Sequence, residues 1–254
     1  MKRVVSAHQP NFLPYLGFFD KMMKSDVFVI RDEVQFVERD YHHRNRIRVE
    51  SPPGSEPQSR WVRVPVAKEQ KELGDIRIRN EVRDKNVPWN ICLLRQIKSS
   101  YEKAPRFAEY FEELEAILLV RTERLLDLNM AVIDWLRDCF GLSAKVMFAS
   151  QLKYGKTGDP TLDLVRIAQV VDADVYLSGS GGRAYLNQAA FEAKGIEVAF
   201  QAYEHPVYPQ RYPGFVANLA AIDALFNVGN IFSGQPVKPS TFEGATSLVG
   251  AEVA

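Results

Sequence analysis

Short runs of β-branched and apolar residues alternate with helical patterns in the first and last thirds of this chain, and this alternation restricts its fold more than any other feature. Strands are predicted at residues 3–7, within 26–36 around Val27–Ile30, and at 145–150, 174–179 and 196–203. Helical patterns separate these runs. Since strands that alternate with helices form parallel sheets, the sequence predicts an α/β fold with a Rossmann-like, mostly parallel sheet flanked by helices.

The middle of the chain follows a different pattern. Residues 44–50 and 60–66 alternate charged and apolar side chains around a connector rich in Pro and Gly, which predicts an antiparallel hairpin, with 76–80 as a candidate third strand. Residues 88–140 are helical in pattern. We therefore expect a single α/β domain over 1–232 with a β insertion at about 40–80 and a helical segment at about 88–140. Residues 233–254, rich in Ser, Gly, Thr and Pro, predict an extended or mobile tail.

Charge and hydropathy exclude some classes of partner. The 32 Lys and Arg balance 32 Asp and Glu, whereas proteins that coat nucleic acid or anionic membranes carry a basic excess. We expect no bulk nucleic-acid binding. No run reaches the length of a membrane-spanning helix, and the first apolar run is broken by His8, Gln9 and Pro10, so the prediction is a cytoplasmic protein without membrane insertion. Cys92 and Cys139 lack metal-binding spacing and are predicted to be buried thiols.

Polar residues follow the predicted strands at the positions where open parallel sheets bind ligands. His8 and Gln9 follow the first strand, and Asp32 and Gln35 follow the second. The His8 imidazole is suited to acid–base chemistry or phosphate contact, and the alternative is a hydrogen bond that only caps the strand. Asp32 is a candidate base, and its alternative is a cap or a partner for a nearby arginine.

The densest basic cluster lies at residues 39–48. Arg44, Arg46 and Arg48 alternate along a predicted strand, and guanidinium groups bind phosphate through paired hydrogen bonds. The cluster therefore predicts an anionic ligand, with a solvated hairpin face as the alternative. The adjacent histidines 42 and 43 have no acid or cysteine at ligand spacing, so no metal site is predicted.

A glycine-rich turn, SGSGG at 178–182, follows a later strand. Its amides around Ser180, Gly181 and Gly182 are candidates for holding an anion, and a tight turn is the alternative. The turn lacks both the spaced GxGxxG and a Walker lysine, so it is weak evidence for a nucleotide.

Several separated motifs together resemble the WbqC-like family. They are HQPNFLPYLGFFDK, RDEVQFVERDYHHRNRIRV, WVRVPV, SYEKAPRF, DVYLSGSGGRAYLNQAAFEAKGIEVAFQAY and FVANLAAIDALFNVG, and they run in order from residue 4 to about 230. Members often occur among genes for bacterial surface polysaccharides such as O-antigen. The resemblance therefore implies a cytoplasmic biosynthetic role on a nucleotide-linked sugar or another activated acyl or aminoacyl donor. Many members have Met at the position of His8.

These observations lead to a transferase as the first functional hypothesis, with His8 and Asp32 as catalytic residues. The substrate-binding residues predicted from the strand ends, the basic cluster and the resemblance are Gln9, Lys21, Gln35, Arg44, Asn45, Arg46, Ser180, Gly181, Gly182, Tyr185 and Gln210. One alternative is a non-catalytic module that delivers a phosphorylated or carrier-linked substrate to a partner enzyme. Another is a Mg²⁺-dependent nucleotidyltransferase, although the paired His-x-Gly-His signature is absent. The sequence identifies no cofactor.

Overall fold

The amino-terminal βαβ unit forms as the sequence predicts. The structure, a computed structural model that describes residues 2–67 and 71–234, has β1 at Val4–His8, α1 at Leu16–Met23 and β2 at Val27–Ile30. All four residues of β2 are buried. Strands covered on both faces are continuously apolar rather than alternating, which explains why this short run was recognisable in the sequence. His8 was expected just after β1 and is instead its last residue.

The β insertion contains the predicted hairpin, with β3 at Arg44–Arg48 and β4 at Ser59–Arg63. The candidate strand at 76–80 does not form, because Arg77 and Ile78 bridge to two different partners, Arg124 and Val66. An unpredicted two-residue hairpin, β5 at Arg83–Asp84 and β6 at Val87–Pro88, follows it.

The helical segment consists of α2 at Trp89–Tyr101, α3 at Phe107–Leu119 and α4 at Leu125–Cys139. Their buried residues recur at helical spacing, so each helix covers the core with one face. Cys92 and Cys139 lie in α2 and α4 and are half-buried rather than fully buried.

The α/β alternation resumes after α4. It continues with β7 at Lys145–Phe148, α5 at Pro160–Val170, β8 at Val175–Ser178, α6 at Gln188–Glu192, β9 at Glu197–Phe200 and α7 at Ile222–Val228. Helix α5 begins with the Asp159 side chain accepting a hydrogen bond from the Leu162 amide, with proline in the first turn. The Gly-containing segment at 155–160 is thus the entry to a helix.

The central sheet has five parallel strands in the order β7-β2-β1-β8-β9. Strand order reverses beside β1, because the chain crosses from β7 at one edge to β8 on the other side of β1. The register between β1 and β8 holds only two pairs, Val4 with Val175 and Val5 with Tyr176. The two strands therefore separate toward their carboxyl ends, which is where open α/β sheets bind ligands.

Two apolar clusters cover the sheet. One joins a face that includes Phe28 and Ile30 to α1, the insertion, the helical segment and α7, and the other joins the opposite face to α5 and α6. None of the helices that the structure describes has the length and apolar character needed to cross a membrane. The tail predicted at 233–254 lies, from residue 235 onward, outside the described residues.

Candidate functional site

A cleft of about 500 Å³ opens at the carboxyl end of β1. Its walls come from the end of β1, the loop that follows it, the start of the hairpin and the loop before α7. The residues that line it are His8, Asn11, Tyr15, Asp40, Tyr41, Asn45, Arg46 and Asn218. The β insertion therefore supplies one wall of a cleft beside the reversal of strand order.

His8 lies at the sheet end of the cleft with a defined tautomer. Its Nδ1 is 3.0 Å from the Gln9 carbonyl oxygen, and since a carbonyl only accepts, Nδ1 carries the hydrogen and Nε2 keeps its lone pair. The ring packs edge-on against Phe18, with centroids 5.0 Å apart. Burial, and secondly the charge of Lys21, lowers the pKa of His8 to about 3. His8 is thus a neutral hydrogen-bond acceptor near pH 7.

Lys21 places a buried positive charge under the same strand end. Its side chain is 4% exposed, and Nζ donates a 2.9 Å hydrogen bond to the Ala7 carbonyl. Within residues 2–67 and 71–234, no carboxylate forms an ion pair with it. Burial lowers the pKa of Lys21 to about 7, so the ammonium and amine forms are both present near neutral pH. An anion bound nearby would favour the ammonium form. Lys21 contributes charge to this end of the sheet without lining the cleft.

Asn45 and Arg46 form the hairpin wall. The Asn45 amide donates to the Leu13 carbonyl at 2.5 Å, and its Oδ1 accepts from the Arg46 amide at 2.8 Å, so Asn45 fastens β3 to the loop after β1. Arg46 is half-buried, and its Nε is buried without a hydrogen-bond partner in the part of the chain that the structure describes. No other hydrogen bond or ion pair of the Arg46 guanidinium occurs among the described residues either, and because Arg46 lines the cleft, its terminal N–H groups are available to a ligand.

Five lining residues were not singled out in the sequence: Asn11, Tyr15, Asp40, Tyr41 and Asn218. Asn11 and Tyr15 belong to the loop after β1, so their position next to a predicted strand end was the available signal. Asp40 and Tyr41 precede the hairpin, and only the fold brings them to the sheet. Asn218 has a φ of 58°, an uncommon backbone conformation for a residue other than glycine.

The structure places Asp32 outside the residues that line the cleft. Its carboxylate accepts hydrogen bonds from the Ser150 amide at 3.0 Å and from the Ser150 hydroxyl at 2.6 Å. Asp32 therefore fastens the end of β2 to the turn that follows β7. Gln35 is exposed and forms a backbone bridge with Glu72.

Arg44 and Gln210 also bond within the protein. The Arg44 guanidinium lies 4.3 Å from the Trp61 ring centroid and donates to the Asp40 carbonyl. The Gln210 amide donates to Asp223 Oδ2 at 2.7 Å and to the Val216 carbonyl at 2.9 Å. Neither side chain lines the cleft.

The glycine-rich turn continues from β8 as a short 3-10 turn at Ser180–Ala184. A Cβ on Gly182 would lie 2.1 Å from the Ser178 hydroxyl, so this position requires glycine for packing. Ser180, Gly181 and Tyr185 are exposed, and Gln9 is half-buried beside His8. Their substrate-binding roles stay predictions.

Comparison with known proteins decides the family. The family model described as the WbqC-like protein family matches residues 9–231. This chain belongs to the WbqC-like family. The WbqC-like chain is also 29% identical over 231 residues to the uncharacterized protein Rv1507c of Mycobacterium tuberculosis, an alignment that covers 90% of this chain and 95% of that protein. No solved structure matches it.

The family match includes every residue that lines the cleft except His8, which lies one residue before the matched span. The wall formed by the loop after β1, the hairpin and the loop before α7 is therefore inside the region common to this WbqC-like protein and its family. What the cleft does is argued from its chemistry.

Proposed function

We propose that this WbqC-like protein is a transferase that binds a phosphate-bearing activated donor in the cleft at the end of β1. The donor is a nucleotide-linked sugar or a carrier-linked acyl or aminoacyl group. The family resemblance supports a cytoplasmic role in the biosynthesis of surface polysaccharides such as O-antigen. The observation that carries the proposal is the Arg46 guanidinium, which has no hydrogen-bond partner among the described residues and lines a cleft beside the reversal of strand order.

Two positive charges support an anionic donor. Arg46 offers charge-assisted hydrogen bonds, which are stronger than neutral ones. Lys21 lies under the end of β1 with only the Ala7 carbonyl as its hydrogen-bond partner among the described residues. A phosphate in the cleft would stabilise the ammonium form of Lys21, so donor binding and protonation of Lys21 favour each other. Asn11, Tyr15 and Asn218 add neutral polar groups that orient the rest of the ligand.

His8 is the residue we propose for proton transfer. As an acceptor oxygen or nitrogen bonds to the transferred group, its proton passes to His8 Nε2, and the bond to the leaving group breaks with its electron pair. A leaving phosphate then carries its negative charge beside Arg46. The pKa of about 3 makes His8 a weak base in the empty cleft. A bound anion would raise that pKa, so the donor itself would prepare the base.

The same low pKa of His8 favours a second candidate, the non-catalytic delivery module. In that case the cleft binds the activated substrate, and a partner enzyme carries out the chemistry. A Mg²⁺-dependent nucleotidyltransferase is a third candidate, which a triphosphate with Mg²⁺ tests directly.

The test is a thermal-stability panel with three ligand classes: nucleotide sugars, nucleoside triphosphates with Mg²⁺, and acyl-carrier thioesters. Any ligand that binds the native state raises the melting temperature. For the stabilising class we expect Arg46→Gln to raise the dissociation constant roughly tenfold to a hundredfold, as expected for loss of a charge-assisted hydrogen bond. The matched control is Arg60→Gln, an exposed arginine at the neighbouring position of the hairpin.

Equal donor affinity in Arg46→Gln and the natural protein would contradict the proposed site. Product formation by the natural protein, reduced at least a hundredfold in His8→Asn while donor binding persists, identifies a transferase. Donor binding without turnover in any acceptor mixture identifies the delivery module instead.

A further inference from the structure

A second groove lies beside the cleft and is unused by the proposed chemistry. It measures about 340 Å³ and lies between β4, the β5–β6 hairpin and α2. Trp61, Arg63, Asp84, Trp89 and Gln96 line it. Its volume falls within the range of about 300–1,000 Å³ that is usual for small-molecule sites.

The indole of Trp61 connects this groove to the cleft. Trp61 lines the groove, while Arg46, which lines the cleft, has its guanidinium carbon 5.9 Å from the Trp61 ring centroid. Arg46 and Trp61 are also directly paired between β3 and β4, so their side chains lie on the same face of the hairpin. A ligand that extends past one indole ring therefore reaches both cavities.

The charges on this face favour an anion. Arg44 and Arg63 are paired across the strands on the same face as Arg46 and Trp61. Like charges directly opposite each other destabilise a β ladder. Arg63 is exposed, and no hydrogen bond or ion pair to it is found in the described ranges. A phosphate beside Arg63 would relieve the repulsion between the two guanidinium groups.

The aromatic lining favours a flat ring. Trp61 and Trp89 are half-buried, and in the described part of the chain their indole nitrogens have no hydrogen-bond acceptor. The third tryptophan, Trp135, is buried and donates to Glu113 at 2.8 Å, which is the usual arrangement for an indole. Indole rings stack with every nucleobase, and Gln96 and Asp84 supply the donors and acceptors that a base edge needs.

We propose that this groove binds the base of a nucleoside diphosphate that forms part of the donor. Its phosphates lie along Arg63 and Arg46, and the transferred group lies in the cleft beside His8. This inference rests on the proposed function and narrows its donor to a nucleotide derivative. A saccharide ring can stack on the same indoles, but without phosphate it does not use the two arginines.

Tryptophan fluorescence tests the inference, because two of the three tryptophans line the groove and the third does not. The probes are UDP, ADP, GDP and CDP, with inorganic pyrophosphate and uncharged oligosaccharides for comparison. We expect at least one nucleoside diphosphate to quench the fluorescence saturably, while pyrophosphate binds through Arg46 without quenching. Trp89→Phe should retain most of the affinity, and Trp89→Ala should weaken it roughly tenfold, since one stacked ring is lost.

Gln96→Ala provides a second variant that removes no aromatic ring from the groove, and it should change the preference among the four bases. Trp135→Phe, outside the groove, should leave the affinities unchanged. If pyrophosphate or a donor stabilises the protein through Arg46 but no nucleoside diphosphate quenches, the groove inference is wrong and the proposed function stands. If Arg46→Gln changes no affinity at all, both are wrong. Quenching by uncharged oligosaccharides alone would also overturn the nucleotide assignment.

Discussion

Arg46 and Arg48 are two residues apart on β3 and belong to regions of opposite character. Arg46 lines the cleft, and its guanidinium has no hydrogen-bond partner in the described chain. Arg48 is completely buried, and although its Nε also has no partner among the described residues, its terminal N–H groups donate to the carbonyls of Gln58 and Pro213, both at 2.7 Å. Two arginines on one strand thus have different surroundings: Arg46 lines a cleft that a ligand can enter, and Arg48 lies in the protein interior with protein partners. We call these the open and the closed region.

The closed region, which we call the Asp223 network, consists of Arg48, Tyr101, Tyr208, Gln210 and Asp223. Asp223 is fully buried and accepts from Tyr101 at 2.9 Å, Tyr208 at 2.8 Å and Gln210 at 2.7 Å. The Tyr101 hydroxyl accepts in turn from the Arg48 amide. This network joins β3, α2, α7 and the loop before α7.

The difference between the cleft and the Asp223 network shows how structural polar residues can be distinguished from ligand-binding ones in this protein. Both regions contain residues that the sequence made candidates for substrate binding, Gln210 in the Asp223 network and Arg46 in the cleft. In the Asp223 network, protein partners occupy both oxygens of the central carboxylate. In the cleft, the Arg46 guanidinium has no hydrogen-bond partner among the residues that the structure describes. Paired groups hold the fold, and unpaired groups at a strand end are available to a ligand.

Asp223→Ala tests the closed region and should have the largest effect. The substitution leaves two buried tyrosine hydroxyls without an acceptor and removes one of the two acceptors of the Gln210 amide, so we expect the free energy of unfolding to fall by about 3–5 kcal/mol. Urea denaturation measures it. Donor affinity of the protein that remains folded should be unchanged. A loss of affinity with normal stability would place the Asp223 network in the binding site and break the comparison.

Lys21→Met tests the buried charge under the cleft. The pKa of about 7 is far below the ordinary lysine value, so between pH 7 and 10 the unfolded chain binds more protons than the folded one. The free energy of unfolding of the natural protein should therefore rise with pH by up to about 1.4 kcal/mol per pH unit, about 4 kcal/mol in all. Lys21→Met should lack this rise. Parallel pH profiles of the two proteins, measured by urea denaturation, would show that Lys21 is not neutralised by folding.

Asp32→Asn distinguishes two roles for Asp32: the catalytic base predicted from the sequence, and the structural link to Ser150 seen in the fold. Because Ser150 occupies both carboxylate oxygens, we expect a loss of stability of about 1–2 kcal/mol and unchanged donor affinity and turnover. If Asp32 is the catalytic base, the result is the reverse: turnover falls at least a hundredfold with donor affinity intact. Urea denaturation and steady-state kinetics on the same preparation distinguish the two outcomes.

Arg44→Gln should have the smallest effect and sharpens the contrast within the basic cluster. Arg44 stacks on Trp61, a contact worth about 0.5–1 kcal/mol at an exposed site. We expect stability to fall by about that amount and donor affinity to change by less than roughly threefold, as judged by thermal shift and titration. A loss of affinity as large as that of Arg46→Gln would mean that the whole basic face binds the donor.

Much of the fold was predictable because the chain has strong local signals. The runs around Val27–Ile30 and Val175–Ser178 are short, apolar and bounded by polar residues, and each forms a strand. The candidate strand at 76–80 failed because alternation shows which residues are buried but not whether one partner strand lies alongside. The β5–β6 hairpin was missed because it is only two residues long on each side.

The candidate site was predictable only in part. His8, Asn45 and Arg46 line the cleft, and their type and position near strand ends were visible in the sequence. Asp32, Arg44 and Gln210 have equally suggestive types, yet their hydrogen bonds end on other parts of the protein. Whether a polar group is paired depends on residues far away in the chain, as with Asp32 and Ser150, so no local pattern reveals it.

The sequence by itself determined the α/β class, the hairpin insertion and the family, because periodicity and motif order are properties of the chain. Tertiary structure alone decided the strand order that places β8 beside β1, the position of Asp40 and Asn218 in the cleft, and the proximity of Trp61 and Trp89 in one groove. The physical reason is that pairing, burial and charge compensation are relations between distant residues. Local propensity fixes neither the partner of a group nor the solvent that reaches it.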